Sequence, residues 1–232
     1  MAAFVALMVL AQVGSVAWWN RPKVVGEHAY LEVLPDGSPY RWNPCQPIHY
    51  TENLTFAPEG AMDDVLEAVR RVSEATGITF IDDGPTVRTV DQQIGRAFQN
   101  GIPGEPRYLP LLIEWVPHRH FDYIVDTPRA AAFGMPYRGD GNLAHTYVSG
   151  VVAMDAGERV QGGFDVRYSR GVILVHELGH VLGLAHVASP HELMFSPEVS
   201  DETPDLWQSD WGPGDLEGLR ALGREAGCLP AR

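Results

Sequence analysis

Apolar positions along the chain recur with different periods, and each period points to an element. Residues 1–19 are mostly apolar and carry no charged side chain. A run of this length fits either a secretory signal or a membrane anchor. Small residues at Ser15 and Ala17 suit cleavage after Ala17, although no basic stretch precedes the run. Arg21 and Lys23 on the far flank would hold that flank on the cytoplasmic side of an anchor. Residues 20–40, with Pro22, Pro35, Gly37 and Pro39, read as a linker or extended lead-in.

From residue 41 the pattern becomes that of a folded domain running to residue 232. Residues 47–51 predict a first strand. Pro58, Glu59 and Gly60 open a helix, whose apolar face is Met62, Val65, Leu66, Val69 and Val72 at helical spacing. Gly77 suits its left-handed end. Residues 78–81 predict a second strand, and Asp82, Asp83, Gly84 and Pro85 a turn. Residues 111–116 predict another strand, 117–142 a long structured loop, and 145–155 a further strand. Helices are expected over 168–182 and from Pro213, with Leu216, Leu219 and Leu222 on one side. Strands and helices alternate early and helices dominate late, the layout of an α/β (α+β) domain around one main sheet.

The 232 residues suit one domain with extensions. Seventeen basic residues against 30 acidic ones give a formal net charge of −13, which argues against nucleic acid, because phosphate binding needs a cationic face. The only two cysteines, Cys45 and Cys228, stand near the two ends of the folded part. They are either two thiols or one bridge; the export-type run ahead of them favours a Cys45–Cys228 disulfide. The same run makes the expected location secreted or extracellular, with membrane contact only through an uncleaved anchor.

Chemistry concentrates in residues 176–186, where H-E-x-x-H-x-x-G-x-x-H is spelled by His176, Glu177, His180, Gly183 and His186. Shuffling this composition would place those five residues at this spacing about once in 10⁴ chains. Histidines four apart on a helix point from one face, as two ligands of one zinc ion must. Gly183 lets the chain leave the helix and bring His186 to the same ion. Three neutral ligands leave a fourth position for water, and Glu177 is placed to take its proton.

This motif, followed eight residues later by Met194, resembles that of the metzincin peptidases, and within them the matrixins. Arg41 and Trp42 before Ile48, His49 and Tyr50 look like the opening strand of matrixin catalytic domains. Residues 214–219 look like their closing helix, and residues 142–145 like the loop before their substrate-binding edge strand. Residues 43–48 and Cys228 are most similar to matrixin-like proteases of actinobacteria. The resemblance implies a twisted, mainly parallel five-stranded sheet with two long helices and a small C-terminal part bearing a final helix. It implies a zinc-dependent endopeptidase, with His176, His180 and His186 as ligands, Glu177 as general base and Met194 in a turn beneath the metal. The substrate would be an extended polypeptide lying along the strand of residues 145–155, with Pro197 among the residues walling a side-chain pocket. A monomer is expected.

The chain also departs from the family pattern. Ser196 stands where astacin-like relatives carry a ligand tyrosine. His120, Asp122 and His145 match three ligands of the second, structural zinc of matrixins, but the fourth position falls near Ala153. Closed structural zinc sites take four ligands, so a second zinc is not expected there, while the sequence leaves a calcium ion open. Two other functions fit the same motif: a zinc-holding protein without catalysis, and a zinc hydrolase of non-peptide amides.

Overall fold

The computed structural model describes residues 26–97, 108–124, 130–196 and 208–229. The segment 1–19 and Pro197 lie outside them. Five strands are formed: β1 (Ile48–Asn53), β2 (Phe80–Pro85), β3 (Leu111–Val116), β4 (Ala132–Arg138) and β5 (Tyr147–Asp155). Five α-helices accompany them: α1 (Ala61–Thr76), α2 (Val90–Ala97), α3 (His118–Ile124), α4 (Arg170–Leu182) and α5 (Pro213–Leu222). The strands lie in one sheet in the order β2-β1-β3-β5-β4. All neighbours are parallel except β4, which runs antiparallel to β5 at the edge.

β3, at the middle of the sheet, is buried at all six positions, which explains why it reads as an apolar run broken only by Glu114 rather than an alternating one. Ile113 and Trp115 join the larger core beneath α1 and α4. Leu112 and Val116 join the smaller one with Val90 of α2 and Phe121 of α3. α1 starts at Ala61 after a left-handed Gly60, so Pro58 precedes the helix and does not occupy its first turn. Val65, Val69 and Val72 are buried as the spacing predicts, while Leu66 is turned to solvent.

Three sequence expectations need correction. The stretch 117–142 is not a loop, for it holds α3 and β4. The strand at 145–155 is not the sheet edge, because β5 lies between β3 and β4. β4 carries Gly134 and Pro136, both poor strand formers, and owes its conformation to pairing with β5. On the opposite edge, Asp82 to Pro85 form part of β2 rather than a turn, because Tyr50 pairs with Asp82 and Glu52 with Pro85 in the parallel ladder with β1.

α4 is held from both ends. At its start, Arg170 and Asp64 of α1 form a buried ion pair. Asp64 also accepts the Gly163 N–H, and Arg170 donates to the Glu59 carbonyl, so neither charge is left unpaired. Near its end, the Trp42 indole N–H donates to the Val181 carbonyl. Cys45 and Cys228 are bridged, with Cα atoms 5.3 Å apart.

Candidate metal centre

α4 is apolar almost all round and buried along its whole length, so it runs through the core rather than over it. Into this helix the sequence sets His176, Glu177 and His180. Gly183 ends it at φ 118°, and its N–H bonds back to the Gly179 and His180 carbonyls. A side chain there would press on the Tyr147 ring and the Tyr40 carbonyl. The chain then doubles back, and the His186 Nε2 reaches 3.1 Å from that of His176 and 3.0 Å from that of His180. The lead-in crosses the outside of this turn: the Leu31 N–H donates to the Gly183 carbonyl and the Ala185 N–H to that of Ala29.

The imidazoles of α4 are aimed by their other nitrogens. His176 Nδ1 lies 2.8 Å from the Leu193 carbonyl and His180 Nδ1 2.8 Å from that of Leu184. A carbonyl only accepts, so Nδ1 carries the proton and the Nε2 lone pair faces inward. Burial first, then the neighbouring imidazoles, push the His176 pKa well below its ordinary value and that of His180 to about 4. The ligand atoms of the three residues all lie within 4.8 Å of one another. Zinc bound to nitrogen at 2.0–2.1 Å in a tetrahedron separates its ligands by roughly 3.3 Å. The donor set fits that ion, and it is the only such group of three or more candidate ligands among the described residues.

Glu177 is buried beside the triad, and burial raises its carboxyl pKa to about 8, against the lowering effect of a hydrogen bond from the Gly134 N–H. Gly134 belongs to β4, which packs on α4 here. A Cβ at Gly134 would lie 2.3 Å from the Glu177 carbonyl oxygen and 3.0 Å from its Oε2. Only glycine lets strand and helix approach so closely.

Met194 is buried beneath the helix; a Cβ at Gly179 would lie 2.6 Å from its Sδ. The turn that carries it is tied to α5 by two carboxylates. Asp215 accepts the N–H groups of Leu193, Met194 and Gly212. Glu192 accepts those of Gly214, Asp215 and, in the lead-in, Gly26. Asp215 thereby fixes the Leu193 peptide whose carbonyl orients His176. Burial, with Glu192 adding, lifts the Asp215 carboxyl to about 7.

The candidates for a second metal are not brought together. His120 and Asp122 are two apart on α3 and so point in different directions. His120 bonds Asp91, Asp122 lies 3.7 Å from His118, and the His145 imidazole lies 3.4 Å from the Tyr40 hydroxyl. His118 also bonds Asp155, which raises its pKa.

Sequence reasoning did not single out Gly134, Gly179, Glu192 or Asp215 for the site. Asp215 left one signal: it stands three residues after Gly212, where an acidic side chain accepts the first N–H of a helix. Gly134 left none, since its requirement is set by α4, a distant segment.

Residues 131–212 match the family model of the matrixin peptidases. Matrilysin of Felis catus is 27% identical over 152 residues, covering 62% of this chain and 55% of that protein. The chain therefore spans about half the length of that relative. Among solved structures, metalloproteinase-II of Bacteroides fragilis matches 88% of this chain and 58% of its own, with 15% identity and a TM-score of 0.39. High choriolytic enzyme 1, a hatching-enzyme zinc protease of Oryzias latipes, matches 68% of this chain and 55% of its own, with 13% identity and a TM-score of 0.33.

Proposed function

Since this chain is a matrixin-like metzincin, we propose that it is a zinc-dependent endopeptidase acting on extended polypeptides. The observation that carries the proposal is the convergence of three inward-facing imidazole nitrogens with a buried carboxylate beside them. His176, His180 and His186 would hold the ion. Zinc there would supply Lewis acidity and make water acidic enough to ionise near neutral pH. Glu177 takes the proton of the attacking water and returns it to the amine that leaves as the C–N bond breaks. The low-polarity walls of α4 keep that carboxylate basic enough for the first transfer.

The substrate lies along β4, the free edge of the sheet on the α4 side, and not along β5. Gly134 brings this edge level with Glu177. Gly134→Ala should therefore separate the two and lower kcat by about 10- to 10²-fold while the metal content stays at one per chain. Unchanged kcat in a folded Gly134→Ala protein would show that the close approach has no catalytic role.

The decisive test of the function is peptide-library cleavage by the purified protein with and without chelator, alongside metal analysis. One zinc per chain and chelator-sensitive cuts support it. Stoichiometric zinc with no cleavage of any peptide would favour the metal-holding alternative or a hydrolase of other amides.

Acid should strip the ion late. Because the folded His180 is held near pKa 4 and His176 is also depressed, both are neutral, and able to ligate, down to far below the ordinary imidazole range. At His180 protons compete only as the pH falls through about 4. Zinc occupancy followed against pH checks this, and half-release near 6.5 would contradict it. The apolar run at 1–19 and the exposed disulfide support an extracytoplasmic site of action.

A further inference from the structure

The hydrogen-bonding row that β4 turns outward has an unusual composition. The Ala131 carbonyl accepts the Asp155 N–H, and the Gly139 N–H donates to the Thr146 carbonyl. In this stretch the odd-numbered residues thus turn their peptide groups toward β5. Antiparallel alternation then turns those of Ala132, Gly134 and Pro136 away from the sheet. The Gly134 N–H is engaged by the Glu177 carboxylate. Pro136 has no N–H at all. Among the described residues no strand pairs with β4 on this side, and from Gly134 to Pro136, of which Pro136 is a buried residue, the edge turns out two carbonyls and no uncommitted donor. The register shift between Tyr137 and Arg138 ends the regular ladder just beyond.

We propose that Pro136 makes this edge a one-way partner for the substrate: N-terminal to the cut, β4 accepts a hydrogen bond from the bound chain and returns none. The proposal rests on the peptidase function above and names how that site selects its substrate. The bound chain runs antiparallel to β4, the more stable pairing per residue. Its residue facing Gly134 lies beside the scissile bond, next to Glu177. The residue facing Pro136 is two positions further N-terminal. That residue donates its N–H to the Pro136 carbonyl, and its own carbonyl receives nothing from the strand. Proline on an edge strand also blocks edge-to-edge association. Edge protection alone, however, makes no demand on which substrate groups bind.

The test uses a peptide that the wild-type protein cleaves, and a version of it truncated before the residue facing Pro136. Binding is measured by fluorescence anisotropy on the Glu177→Gln protein, with and without Pro136→Ala. Alanine adds the missing N–H, so the affinity ratio of long to truncated peptide should rise about 2- to 10-fold, the net worth of one hydrogen bond. An unchanged ratio in a folded double variant would overturn the proposal. Backbone edits of the peptide give an answer that needs no variant at position 136. N-methylation of the residue facing Pro136 should weaken binding 2- to 10-fold. Ester replacement of the amide that carries the carbonyl facing Pro136, which weakens that acceptor, should leave binding unchanged. A loss on ester replacement, or an N-methyl penalty only C-terminal to the cut, would show a donor where the structure has none or a chain running the other way. If the wild type cleaves no peptide, the function and this proposal fall together. If it cleaves and these measurements fail, only this proposal falls.

Discussion

Glu177→Gln should keep its metal and lose about 10²- to 10⁴-fold in peptide hydrolysis, the range expected on removing a general base. Glutamine has nearly the shape of glutamate and keeps an oxygen to accept the Gly134 N–H, so β4 and α4 should stay in register. What it loses is the ability to take a proton. The three imidazoles are aimed by the Leu193 and Leu184 carbonyls and by the Gly183 turn, none of which involves the Glu177 side chain. Metal analysis and single-turnover rates on the same preparation separate the two effects. Full activity with metal present would remove Glu177 from the mechanism. Loss of metal would make it a ligand. A metal-holding protein without catalysis predicts no difference in rate, because neither form would cut.

The residues of the metal centre were legible because their chemistry is local. His176 and His180 need only the helical repeat to share a face, and Gly183 only its own backbone freedom to turn His186 inward. Helix α4 was equally legible, since a long apolar run ending at a glycine leaves little choice. The cleft wall was not. β4 is held as a strand by pairing with β5, and its own Gly134 and Pro136 argue locally for a loop. The same two residues give the edge its properties, one admitting Glu177 and the other removing a donor. Position along the sheet was equally hidden: nothing in residues 145–155 tells whether the strand lies at an edge or inside, because that depends on whether another strand covers it.

Buried carboxylates were hidden for a related reason. Asp215 and Glu192 bond to backbone N–H groups of segments about twenty residues away in sequence, and Glu192 also to Gly26 in the lead-in. Such partners have no residue-type signature. The second-metal candidates show that spacing alone does not bring ligands together. His120 and Asp122 matched a ligand spacing that presumes an extended loop, whereas on α3 the same spacing turns them apart.

Reducing the Cys45–Cys228 bridge should lower stability more than it lowers the rate of the protein that remains folded. The bridge spans 183 residues of sequence, and the chain-entropy model gives about 5 kcal/mol for a loop of that size as an upper bound. For a chain of this length that is a fall in Tm of up to about 10–20 °C. The full amount is not expected, because residual structure in the unfolded chain reduces the yield, whereas in the folded state other contacts tie the same segments. Arg41 donates to the Gly227 and Ala226 carbonyls, and the Asn43 side-chain oxygen accepts the N–H groups of both Cys45 and Leu229. These bonds survive reduction in the folded state and keep the C-terminal segment against the entry to β1. Their presence makes the native state tolerate the loss, so the effect falls mainly on the unfolded chain, which regains the freedom of a long open loop. Both cysteines are exposed, so dithiothreitol should reach the bridge without prior unfolding. The histidines, Glu177 and β4 make no contact through it. Thermal melts and peptide cleavage at a temperature well below the reduced Tm, each with and without reductant and with Cys45→Ser/Cys228→Ser as a control, check both halves of the expectation. An unchanged Tm in the double serine variant would mean that the bridge does not stabilise the fold. A large loss of cleavage rate with an unchanged Tm would mean instead that the bridge acts on the site.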